Sequence, residues 1–147
     1  MQIRVLTRHP EDFDIHTVTV DPAKSSYAHL ANYTLKLTAF YRQLGIRSAI
    51  WATPESEPFA YLETGKNFEY VLEVDESRVV AYVDEATWSA YLYGNKGTFD
   101  YSTTPQDYQN TSVIIPTPIK KDEVKAIRRY RRMNGPGSFE LVEEKTL

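Results

Sequence analysis

The apolar positions of this chain switch between two periods. Tyr27, Leu30, Thr34, Leu37, Tyr41 and Leu44 recur at alternating spacings of three and four, the stripe of an amphipathic helix. Asp21 and Pro22 precede that stripe as N-cap and first helical residue, and Gly45 follows it as a left-handed stop. The pattern predicts one long helix over residues 22–44. Phe68, Tyr70, Leu72 and Val74 alternate instead, which places four apolar side chains on one face of a strand. Shorter apolar runs predict strands at Ile3–Leu6, Ile15–Val20, Ile46–Ala52, Arg78–Val83 and Val113–Ile115, with Phe139–Val142 as a last edge strand.

Punctuation residues fill in the rest. Thr53-Pro54-Glu55 reads as a cap and helix start, with Glu55 and Glu57 well placed against the helix dipole. That helix must be short, because Pro58 lies inside it and Gly65 ends it; it carries Tyr61. Asp84 caps a further helix containing Trp88, Tyr91 and Leu92, closed by Gly94. Residues 95–111 show no apolar period and read as a long polar loop, a class that usually carries function or moves. Residues 121–132 read as a basic helix, with Val124 and Ile127 inward and cations outward, and residues 143–147 as a charged tail. The expectation is a single α+β domain over residues 1–147, with short mixed or antiparallel strands and one long N-terminal helix.

Composition narrows the chemistry. A chain of 147 residues suits one domain and buries a core without staples. The absence of cysteine excludes disulfides, thiolate metal sites and cysteine nucleophiles. His9, His16 and His29 are too dispersed for zinc-ligand spacing, so no metal is expected. The N-terminal residues turn polar too soon for a signal peptide and no apolar run approaches ~20 residues, which points to a cytoplasmic protein with no membrane partner. The net charge of −3 is uneven: Lys120–Arg132 holds seven basic and two acidic side chains, +5 locally against −8 elsewhere. With one interleaved aromatic, Tyr130, that segment reads either as a solvated face or as a surface for phosphates or an acidic protein.

Two groups of residues have the chemistry to grip a flat, polar ligand. Arg8 and His9 end the first strand, where a guanidinium fork and an imidazole could hold a ribose or a phosphate; the bland reading makes them turn residues before Pro10. Trp51, Thr53, Ser56 and Tyr61 gather aromatics and hydroxyls at one strand end. Read structurally, the same residues are a core tryptophan, an N-cap and helix packing. Tyr27 and Tyr33 read as the flank of the long helix, and the eleven tyrosines of the chain could also serve an interface. The chain has no G-x-S-x-G, P-loop, H-E-x-x-H or dinucleotide fingerprint.

The order of VLTRHP (Val5–Pro10), IWATPESEPFAYLETG (Ile50–Gly65), FEYVLEV (Phe68–Val74) and SVIIPTPIKKDEVKAI (Ser112–Ile127) resembles that of ADP-ribosyltransferase-type domains, over roughly residues 3–130. The resemblance implies an ADP-ribosyltransferase-like fold with NAD as the bound substrate. It implies catalytic roles for His9 and Tyr61 and nucleotide contacts from Arg8, Trp51, Thr53 and Ser56. One departure stands out. The family's catalytic glutamate precedes or starts the closing strand, where this chain has Gln109, Asn110, Thr111 and Ser112. Asp107 would substitute only if its loop folds back, so the resemblance implies nucleotide binding more strongly than ADP-ribosyl transfer to a macromolecule. The second expectation is a small non-enzymatic interaction or inhibitor protein that binds a larger protein or nucleic acid through Lys120–Arg132.

Overall fold

A computed structural model of the protein describes residues 2–7, 27–54, 68–132 and 139–147. Eight strands form one sheet: β1 (Gln2–Thr7), β2 (Ala49–Pro54), β3 (Phe68–Glu73), β4 (Ala81–Asp84), β5 (Tyr101–Ser102), β6 (Thr111–Pro116), β7 (Val124–Arg132) and β8 (Phe139–Thr146). Their spatial order is β5-β4-β6-β2-β1-β3-β7-β8. Every described pairing is antiparallel. Two helices accompany the sheet, α1 (Tyr33–Leu44) and α2 (Glu85–Leu92).

This architecture corrects the expected fold class. The described residues form one antiparallel sheet with two short helices, not an α+β domain led by a long N-terminal helix. Within the described residues the helical stripe starts late. Asn32 takes a left-handed backbone (φ 63°) and α1 begins only at Tyr33. Tyr27–Asn32 instead forms turns, with Leu30 N–H on Tyr27 O (3.0 Å) and Tyr33 N–H on Leu30 O (3.3 Å). The spacing of Tyr27 and Leu30 suits a helix, but an L-residue with positive φ cannot sit inside one. The proposed start at Asp21-Pro22 and the strand at Ile15–Val20 lie outside the described residues. The stop at Gly45 behaves as expected: φ is 74° and its N–H reaches Arg42 O.

The second correction concerns the basic segment. Lys121–Glu123 makes one 3-10 turn, and Val124–Arg132 is a strand lying between β3 and β8. The apolar residues Val124, Ile127 and Tyr130 recur every three positions, which mimics a helix. A register shift between Val71 and Leu72 breaks the strand's alternation, and Arg128 occupies a position that a period-two pattern would assign to an apolar residue. The supposed charged tail continues β8 to Thr146.

Alternation is clearest in the middle of the sheet. In β2, Ile50 and Ala52 join one buried cluster while Ala49 joins the other, with Trp51 packed against it. In β6, Val113 and Ile115 face the first cluster and Ile114 the second; in β4, Tyr82 faces the first, and Ala81 and Val83 the second. Strands buried on both faces become nearly continuous apolar runs. The first cluster runs across six consecutive strands, adding Ile3, Tyr70, Leu72 and Val124. The second is covered by α1 (Tyr33, Leu37, Phe40, Tyr41) and α2 (Trp88, Leu92). β1 pairs with β3 along its whole length but with β2 only at Ile3↔Pro54 and Arg4↔Thr53.

Candidate functional site

Of the residues expected to hold a nucleotide, Arg8, His9, Ser56 and Tyr61 lie outside the described residues. Trp51 and Thr53 are described, both on β2 and both half-buried. The indole N–H of Trp51 donates to Tyr41 Oη at 2.8 Å. Its ring lies 5.0 Å from Trp88 and 5.9 Å from Phe40, centroid to centroid. Phe99 completes the group, edge-on to Phe40 (4.9 Å) and to Trp88 (4.6 Å). Such contacts contribute about 0.5–1.5 kcal/mol each beyond burial. Burial pushes the Tyr41 hydroxyl well above the usual tyrosine range, partly offset by the Trp51 hydrogen bond, so it stays neutral. In this setting Trp51 ties β2 to α1 and α2.

The polar loop is built around the same cluster. Phe99 and Tyr101 pack against it from β5 and the residue two before. Asp84 caps α2 by accepting from Ala86 N–H (3.3 Å), and its own N–H donates to Asp100 O at 2.9 Å. At the head of β6, where the resemblance leads one to look for an acid, the nearest carboxylate comes from α2. Glu85 accepts from Ser112 Oγ–H (2.8 Å) and from Tyr27 Oη–H (3.0 Å). Nothing in the segment 109–112 itself forecasts this, because Glu85 comes from the end of the neighbouring strand β4 and the start of α2.

The arginines of β7 face carboxylates on both neighbouring strands. Arg128 donates to Glu69 on β3 and to Glu144 on β8, both at 3.2 Å. Arg129 pairs with Glu143 (3.3 Å) and Arg131 with Glu140 (2.6 Å). Glu69 is 1% exposed and also accepts from Tyr130 Oη–H at 2.9 Å. Burial, and then the Glu69 charge, push the Tyr130 hydroxyl far above its ordinary value, so it stays protonated and donates to Glu69. The local excess of positive charge read from residues 120–132 is therefore largely answered by β8 and Glu69. The glutamates of β8 were the missing signal. They are remote from most of β7 by sequence count alone, and only strand pairing shows their match.

A second ion pair closes the end of the sheet. Arg78 grips Glu123 in a fork, Nε to Oε2 at 3.1 Å and Nη2 to Oε1 at 3.0 Å, and Nη2 also donates to Pro118 O at 2.9 Å. Lys120 N–H donates to Glu123 Oε1 at 2.7 Å. Burial alone would raise the Glu123 carboxyl, but these donors outweigh it and hold the group below its usual value. Beside this pair lies an open polar cleft of about 620 Å³, lined by Glu73, Asp75, Lys120, Asp122 and Lys125 among others.

The two edges of the sheet differ in length. β5, at one edge, is two residues long. β8, at the other, is eight residues long; among the described residues it pairs only with β7, and positions 140–147 are exposed along their whole length. Leu141, Val142 and Leu147 are among the exposed large apolar residues. A register shift against Arg129 and Tyr130 leaves Val142 as the extra residue of a bulge. Among the described residues, no helix is long and apolar enough to cross a membrane. Comparison with protein-family models, curated proteins and solved structures found no match.

Proposed function

We propose that this protein is a non-enzymatic interaction module that docks a larger protein along the open edge of β8. The observation that carries the reading is an eight-residue edge strand whose outer side is unpaired among the described residues, with every residue from 140 to 147 exposed. A strand edge offers a row of backbone donors and acceptors that another extended segment can complete. Exposed Leu141 and Val142 add apolar area to that row. The charge balance within the β7–β8 pair favours a protein partner over nucleic acid, because the arginines at 128, 129 and 131 already face carboxylates.

The test compares capture by the wild-type chain with capture by Val142→Pro. This substitution removes a backbone donor at the bulge, where the β7 ladder has least to lose. A partner retained by wild type and lost by the variant, with unchanged circular dichroism, is the expected result. Equal capture by both overturns the reading. NAD binding rests on Arg8, His9, Trp51, Thr53, Ser56 and Tyr61; of the two described members, Trp51 packs against the second cluster and Thr53 pairs with β1. Titration with NAD and ADP-ribose is expected to give no heat at millimolar ligand. Saturable heat abolished by Tyr61→Ala would replace the interaction reading with nucleotide binding.

A further inference from the structure

The side chains of a strand stand above and below the sheet, so both edges of β8 present the same pattern. One edge is occupied, and its occupant shows what the pattern accepts. Opposite Lys145, Glu144 and Glu143, β7 places Ile127, Arg128 and Arg129. The two glutamates beyond the bulge thus each face an arginine.

Those arginines leave acceptor capacity behind. Glu143 accepts through Oε2 from Arg129, and Glu144 through Oε1 from Arg128. The second oxygen of each carboxylate takes no hydrogen bond from the described residues, and both side chains are well exposed. A side chain directly opposite on an incoming strand would stand ~5 Å away. The arginine charges already lie at 3.2 and 3.3 Å from Glu144 and Glu143, so what a newcomer meets is the unused oxygen of each exposed carboxylate.

We propose that the open edge of β8 receives an extended basic segment of a partner protein, added antiparallel, with Lys or Arg opposite Glu143 and Glu144. This rests on the interaction-module reading above and supplies the chemistry of its partner. A second copy of the chain is a poor occupant. Antiparallel pairing of two β8 strands about Val142 sets Glu140 against Glu144, and like charges directly opposite are destabilising. The β7 of another copy is already paired on both edges, with β3 and β8.

The probe is a labelled synthetic peptide of the β7 sequence, VKAIRRYRR, added to the intact chain and followed by fluorescence anisotropy. Two companions control it: the same peptide with alternate backbone amides N-methylated, and one with every arginine replaced by glutamate. Saturable binding of the parent, at least tenfold weaker binding of both companions, and at least tenfold loss in Glu143→Gln/Glu144→Gln are expected. No binding of the parent at 1 mM on the order of weak strand additions, or companions within twofold of it, overturns the proposal. If the peptides fail while Val142→Pro still abolishes partner capture, only the basic chemistry falls. If the capture is also unaffected, the interaction reading falls with it.

Discussion

At the scale of single residues, two buried tyrosines make opposite predictions. The Tyr130 hydroxyl donates to Glu69, whereas the Tyr82 hydroxyl is buried with no well-formed hydrogen bond to the described residues, Glu76 being the charged group that acts on it. Removing an unsatisfied buried hydroxyl recovers its desolvation cost, and removing a satisfied one leaves a buried carboxylate short of a donor. Tyr82→Phe is therefore expected to be neutral or to stabilise the protein by up to about 1 kcal/mol, and Tyr130→Phe to destabilise it by about 1–3 kcal/mol. Urea titrations of the two variants check this; a larger loss for Tyr82→Phe would show that its hydroxyl is engaged. Glu123 gives a pH prediction. Its carboxyl is held below the usual value in the folded chain, so its stabilisation is present above the unfolded pKa of about 4.5 and is lost as pH falls through the lower folded value. Glu123→Gln should lower stability at pH 7 and flatten its fall below pH about 4.5, read as the denaturation midpoint across a pH series.

At the scale of elements, exposure decides which ion pairs matter. Arg129–Glu143 and Arg131–Glu140 join side chains that are about half exposed, and such pairs contribute roughly 0.2–1 kcal/mol. Arg128 serves a glutamate that is 1% exposed, so Arg128→Ala removes the positive charge paired with a buried carboxylate, at a cost of about 3–5 kcal/mol. Thermal and urea unfolding of Arg128→Ala and Arg129→Ala should differ by several-fold in effect. The same contrast explains what the sequence showed. β3 was legible because its alternation is intact, β6 because its short apolar run is buried on both faces, and α2 because Asp84 caps it and Gly94 follows. β7 was misread as a helix because its inward-facing row includes Arg128, whose buried partner Glu69 lies 59 positions earlier. β8 was read as a tail beyond Val142 because glutamates suit a strand there only when arginines stand opposite. Phe99 and Tyr101 were lost in a polar loop because two aromatic side chains make no period. Of the candidate site, Trp51 was correctly placed on a strand, but its partners Tyr41 and Trp88 come from helices that spacing alone does not bring together.

At the scale of the whole molecule, stability is expected to be graded across the sheet. β6 and β2 are buried on both faces, whereas β8 has one neighbour and no burial along residues 140–147. Native-state hydrogen exchange should find the slowest amides in Thr111–Pro116 and among the fastest strand amides in Phe139–Thr146. Equal protection of the two strands would mean that β8 is covered in solution. Addition of a partner strand should slow the β8 amides while leaving those of β6 unchanged.

The narrow pairing of β1 with β2 gives the molecule a seam. Apart from the short edge strand β5, neighbouring strands share longer registers, but here the described ladder has two positions, and one of them is Pro54, which has no N–H to donate. Among the described residues, backbone continuity between the β5-β4-β6-β2 half and the β1-β3-β7-β8 half is thus thin, and the cohesion falls on side chains such as Ile3 packed among Ile50, Ala52 and Leu72. A pulling force that peels one half from the other would meet apolar adhesion rather than a zipper of amide bonds. Such adhesion weakens on cooling while hydrogen bonds do not share that dependence, so the seam is where this sheet should yield first in the cold.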